Sequence, residues 1–152
     1  MFDHVGLNVR DYVASRAFYE RALEPLGYRV VMAFDEWKAA GFGTDDKPEF
    51  WISQREPQGT GTHVAFQCAD RQTVDAFHGA ALAAGGIDNG VPGVREHYHP
   101  TYYGAFVHDL DGNNVEAVCH AAGRRATLST DGCFGCGRLW IRERTFRYLR
   151  PL

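Results

Sequence analysis

The stretch HVGLNVRD at residues 4–11 returns as HVAFQCAD at residues 63–70, and this repetition decides the fold. In the first copy, alternation puts His4, Gly6 and Asn8 on one face of a strand and Val5, Leu7 and Val9 on the other. Asp11 follows as a helix cap, and Ala14, Phe18, Ala22 and Leu23 make an apolar stripe that runs until PLG at 25–27. Strands are expected at 27–33, about 37–43 and 48–54. The second copy repeats the order. Asp70 caps a helix striped by Val74, Phe77, Ala81 and Ala84, AGG closes it, and strands follow around 91–97, 102–108 and 113–119. In the DLDGN turn at 109–113, Asp111 and Gly112 have the chemistry of a chain reversal. The chain therefore reads as α+β, with two βαβββ modules at about 1–56 and 61–120 sharing one core.

Composition bounds the function. An apolar fraction of 45% with 13% aromatics supports one packed domain. The formal charge of -3 gives no reason to expect nucleic-acid binding, and no apolar run reaches the roughly 18 residues of a membrane helix. A cytoplasmic protein is expected, with no membrane or nucleic-acid partner. Charge is uneven: residues 1–120 hold 9 basic and 17 acidic side chains, and residues 121–152 hold 7 and 2. That contrast sets a boundary near His120 and a basic C-terminal extension over 121–152. Its GRRATLSTDG portion reads as mobile or non-native, and RLWIRERTFRYL as an added helix or strand against the body or a partner. Cys133 and Cys136 form a lone CxxC, whereas a tetrahedral cysteine site needs four ligands. Cys68 and Cys119 lie in apolar strand patterns and read as buried thiols. Phosphate-loop, GxSxG and HExxH motifs are absent from the sequence.

The repeat also places polar residues. His4 and His63 head equivalent strands, and Glu116 in NNVEAVCH points opposite to Val115 and Ala117. A buried carboxylate is costly unless it is paired or bound to a cation, and two imidazoles with one carboxylate suit a divalent metal with open positions. The plainer alternatives are hydrogen-bonded or half-exposed histidines and a surface glutamate.

HVGLNVRD, HVAFQCAD and especially YYGAFVHDLDGNNVEAV (102–118) resemble the vicinal oxygen chelate superfamily. That group includes glyoxalase I, extradiol dioxygenases, fosfomycin resistance enzymes and bleomycin resistance proteins. The resemblance covers about residues 1–120. It implies paired modules in an incomplete, cup-shaped mixed β-barrel with flanking helices, commonly as a homodimer. It further implies a divalent metal (zinc, nickel, manganese or iron) held by His4, His63 and Glu116, and a small oxygen-chelating substrate. One departure concerns the fourth strand, EFWIS at 49–53, where glyoxalase I supplies a further glutamate. Trp51 occupies that slot here and Glu49 stands two residues earlier, a weaker ligand candidate. Leu110 replaces the usual proline of the turn.

Trp37, Trp51, Tyr102 and His108 are expected to line the pocket, and His97, His99, His108 or Tyr102 to serve in proton transfer. Because adjacent strand residues face opposite ways, Tyr102 rather than Tyr103 is placed inward, together with Phe106 and His108. The expected function is a metalloenzyme of the lyase, isomerase, transferase or oxygenase kind. The alternative is a metal-free, bleomycin-resistance-like protein that sequesters its ligand.

Overall fold

A computed structural model describes residues 3–122; the rest of the basic extension, with Cys133 and Cys136, lies outside the described residues. The first module is β1 (Val5–Val9), α1 (Tyr12–Leu23), β2 (Arg29–Phe34), β3 (Ala39–Gly43) and β4 (Phe50–Gln54). The second is β5 (His63–Gln67), α2 (Arg71–Ala83), β6 (Ile87–Val94), β7 (Tyr103–His108) and β8 (Asn114–Cys119). None of the helices among the described residues is long and apolar enough to cross a membrane.

Both helices begin where their caps stand. The Asp11 carboxylate accepts from the Val13 and Ala14 N–H groups, and the Gln54 side-chain oxygen takes the Tyr12 N–H. Asp70 accepts from the Thr73 N–H at 2.8 Å. After α1 the chain reverses through Gly27 at φ 80°, a conformation in which any Cβ is strained. The buried face of α1 is Tyr12, Ser15, Phe18, Tyr19, Ala22 and Leu23, so the stripe is rotated from the expected one and Ala14 is exposed.

Each module folds into its own four-stranded mixed sheet, in the orders β1-β4-β3-β2 and β5-β8-β7-β6. β1 with β4 and β5 with β8 are parallel; the other pairs are antiparallel. The expected registers of β4 and β7 hold. Phe50 and Ile52 are buried with Trp51 on the opposite face, and Ala105 and Val107 are buried with Phe106 and His108 opposite. β6 begins earlier than its expected position around 91–97. IDNGVPGV looks broken by Gly90, Pro92 and Gly93, yet an edge strand with two register shifts accommodates all three. His97 and His99 consequently sit in the turn after β6.

The two sheets share a core through their helix-side faces. Phe50 of the first packs edge-on against Phe66 of the second with centroids 5.3 Å apart, Tyr28 adds a contact at 5.4 Å, and α1 packs on α2. No strand pairing joins the sheets among the described residues, in keeping with the expected incomplete barrel: they are not closed on one another.

A buried imidazole ties α2 to β6. His78, 8% exposed, pairs through Nε2 with Asp88 Oδ1 at 2.9 Å, and the Gly90 N–H donates to the same oxygen. The His78 bond, then the Gly90 bond, hold the Asp88 carboxyl below its usual range. A depressed carboxylate contributes stability above its unfolded pKa and loses it as pH falls through the folded value. Wild type should therefore exceed Asp88→Asn in urea resistance at pH 6, with the gap closing below about pH 4. An equal gap at pH 6 and pH 3 would show that ionisation of Asp88 contributes nothing to stability.

Candidate functional site

Glu116 sits at the centre of β8, flanked by Ala65 on β5 and Phe106 on β7. It is 1% exposed, and its neighbours make that possible. A Cβ on Gly104 would stand 3.0 Å from Glu116 Oε1 and 3.1 Å from the Tyr102 ring, so glycine clears the space in which those two meet. The Tyr102 hydroxyl donates to Glu116 Oε1 at 2.5 Å, and His63 Nε2 lies 2.9 Å from Oε2. Both carboxylate oxygens are thus served, which is the condition for burying this charge. Burial first, and the bond to Glu116 second, push the Tyr102 hydroxyl well above its ordinary pKa, so it stays a proton donor. Tyr98 and His120 pack edge-on against Tyr102, each with ring centroids 5.1 Å away.

His63 keeps half of its side chain exposed and lies beside Phe106, with centroids 6.4 Å apart. Imidazole nitrogen and carboxylate oxygen are fitting donors for a borderline divalent ion, and here they already touch. The third expected ligand does not join them. His4 is 59% exposed and pairs with Asp3 at 3.1 Å, and among the described residues no three His, Cys, Asp or Glu side chains gather to hold a metal. Within the described residues of one chain, His4 thus stands outside the His63–Glu116 pair that it was expected to join.

The other candidates divide the same way. Glu49 is exposed and accepts from the Tyr28 hydroxyl at 2.9 Å, on the first sheet and outside the Glu116 cluster. Trp51 lies across Gly41, whose Cβ would be 2.8 Å from the indole, and it stacks with Phe34 at 8° between ring planes. Phe34 in turn stacks with Trp37 at 5.1 Å. The two tryptophans therefore form an aromatic ladder with Phe34 in the first module, while Tyr102 and His108 belong to the second. His108 occupies the Asn114 rung, next to that of Phe106 and Glu116 on the same face. His99 is exposed and bonds to Thr101.

His97 lines a cavity of about 290 Å³ together with Asn89, Arg95, Tyr98, Phe106 and Asn114. Phe106 links this cavity to the His63–Glu116 pair. Arg95 escaped the sequence reading, although the glycines that open room for it, Gly90 and Gly93, are visible in VPGVR and its neighbours. A larger depression of about 930 Å³ lies at the start of α1, lined by Arg10, Arg16, Asp35, Lys38 and Gln54 among others. It contains none of the candidate residues, and its Arg16 pairs with Glu20 and Asp35.

The family model described as Glyoxalase/Bleomycin resistance protein/Dioxygenase superfamily matches residues 1–117. A glyoxalase/bleomycin resistance protein from Albidiferax ferrireducens superposes with TM-score 0.70 at 29% identity, covering 78% of this chain and 98% of that one. A glyoxalase/bleomycin resistance protein/dioxygenase family enzyme from Burkholderia phytofirmans gives 0.59 at 20% identity, over 78% and 98% of the two chains. The fosfomycin resistance protein FosX from Mesorhizobium loti gives 0.57 at 20%, over 78% and 91%. No curated protein matches the chain. With two βαβββ modules, the paired module-opening histidines and the glutamate of β8 in place, the chain belongs to the glyoxalase/bleomycin resistance protein/dioxygenase superfamily.

Proposed function

We propose that the protein is a metal-dependent enzyme acting on a small substrate that chelates through neighbouring oxygens, with each metal position shared by two copies of the chain. His63 and Glu116 of one copy supply two ligands, and His4 of the second supplies the third. The observation that carries this reading is the buried Glu116, held between His63 and Tyr102 while His4 stands outside that cluster. His4 stands just before the equivalent strand of the other module, with its imidazole exposed. Two identical chains related by a two-fold axis can place the first-module face of each over the second-module face of the other.

A divalent ion bound there supplies Lewis-acid stabilisation of negative charge on a substrate oxygen. The chain's own groups do the rest. Tyr102 fixes the Glu116 carboxylate through its hydroxyl, Phe106 keeps the floor apolar, and His97 is the cavity residue placed to transfer a proton. A second reading, metal-free ligand sequestration, is favoured by the Trp37–Phe34–Trp51 ladder, whose flat faces suit an aromatic ligand. Metal analysis separates the two. Purified chain should carry about one divalent ion per chain, reduced at least about tenfold in Glu116→Gln and His63→Ala. A metal-free protein whose tryptophan fluorescence responds to aromatic compounds, unchanged in both variants, would establish sequestration instead.

A further inference from the structure

We propose that the cavity beside the Glu116 pair is a carboxylate-binding subsite organised by Arg95, so that the substrate carries a carboxylate next to its chelating oxygens. The chelating oxygens rest on the reading above; the anion subsite rests on the cavity alone. Its construction begins in the sequence IDNGVPGV–R. Gly93 and Gly90 leave a gap in the edge strand: a Cβ on Gly93 would lie 2.9 Å from Arg95 Nη1, and one on Gly90 3.0 Å from the Phe106 ring and 3.4 Å from Arg95 Nη2. Into that gap Arg95 folds back, donating from Nη2 to the Val91 carbonyl at 2.7 Å and lying over the Phe106 ring, 5.5 Å from its centroid. The guanidinium is thereby fixed at one nitrogen and along one face.

Its remaining N–H groups have no carboxylate partner among the described residues. Arg10, Arg16, Arg29 and Lys47 pair with acidic side chains, whereas Arg21, Lys38, Arg55 and Arg71 share with Arg95 the lack of an ion pair among the described residues. What sets Arg95 apart is its setting, since the guanidinium is held by the Val91 carbonyl and the Phe106 ring while it lines the cavity. The neighbouring walls are the amides of Asn89 and Asn114, bonded to each other at 3.0 Å, and the His97 ring. At about 290 Å³ the space is at the small end for ligand sites, fitting a compact molecule. A fixed guanidinium fork on an aromatic floor matches a planar carboxylate in two parallel hydrogen bonds, which a point charge such as lysine cannot reproduce. The acid-rich body would repel an anion in general, so recognition has to be local.

The test uses the full-length chain freed of metal, followed by ¹H–¹⁵N correlation spectra at constant ionic strength. The probes are pyruvate, its neutral counterpart pyruvamide, and inorganic phosphate. Pyruvate should produce saturable shifts at the Asn89, Phe106 and Asn114 amides, and pyruvamide should bind about tenfold more weakly or worse. Arg95→Gln should weaken pyruvate binding about tenfold or more, with Arg95→Lys between the two. Gly93→Ala, which keeps the charge but pushes Nη1 aside, should also weaken it, and covers the case in which Arg95→Gln disturbs β6. Equal binding of pyruvate and pyruvamide, unchanged pyruvate binding in Arg95→Gln, or response to phosphate alone would overturn the proposal. Metal uptake is read separately. A chain that binds no metal yet responds to pyruvate in this way loses only the functional reading, and Arg95→Gln that takes up metal but ignores pyruvate supports both.

Discussion

Asp109→Ala should lower the unfolding free energy by about 3–5 kcal/mol, a large share of the roughly 5–15 kcal/mol that holds an ordinary domain together. Asp109 is 4% exposed and its carboxylate accepts four hydrogen bonds: the Tyr19 hydroxyl at 2.6 Å, the Asp111 N–H at 2.9 Å, the Asn113 N–H at 2.8 Å and the Asn113 side-chain amide at 2.9 Å. Removing it leaves those donors buried without an acceptor, and each then retains its desolvation cost. It also cuts a link between the modules, because Tyr19 lies on α1 and Asp109 follows β7. Burial first, and then Asp109, push the Tyr19 hydroxyl well above its ordinary pKa, so it remains a donor throughout the working pH range. Tyr19→Phe removes one donor and should cost less, about 1–3 kcal/mol. Urea denaturation checks both: the midpoint should fall with the slope unchanged. A loss below about 1 kcal/mol for Asp109→Ala would mean the turn is held by other contacts.

Much of this fold was legible because its signals are local. Asp11 and Asp70 announce their helices, and the repeated strand openings announce the duplicated module. Alternation along EFWIS and YYGAFVH placed Trp51, Tyr102 and His108 on the faces they occupy, since a strand with one buried side has a register fixed by its apolar residues. What escaped the sequence is the non-local part. Asp109 reads as an ordinary turn residue because its partner Tyr19 stands 90 positions away. The repeat establishes that His4 and His63 are equivalent, yet it is silent on which faces of the modules meet. The modules meet through aromatic contacts of Tyr28, Phe50 and Phe66, which no local pattern specifies. Strand β6 was displaced because glycine and proline mark a break in general but are tolerated on a bulged edge.

His4→Ala should then be as damaging to metal binding as Glu116→Gln, with at least about a tenfold loss, even though His4 lies outside the Glu116 cluster of its own chain. Within a single chain the substitution touches only an exposed imidazole beside Asp3, where an effect on folding should be within about 0.5 kcal/mol. The contrast between unchanged stability and lost metal is the mark of a ligand acting on a second copy. The most direct measurement is complementation: His4→Ala and Glu116→Gln chains are unfolded together, refolded to exchange subunits, and analysed for bound metal against each parent refolded alone. In a mixed pair, one position combines His63 and Glu116 of the first chain with His4 of the second and is intact, while the other is doubly broken. Random pairing should restore about a quarter of the wild-type metal content, where either parent alone holds almost none. Metal content in the mixture no higher than in the parents, or wild-type content in His4→Ala alone, would contradict a centre shared between copies.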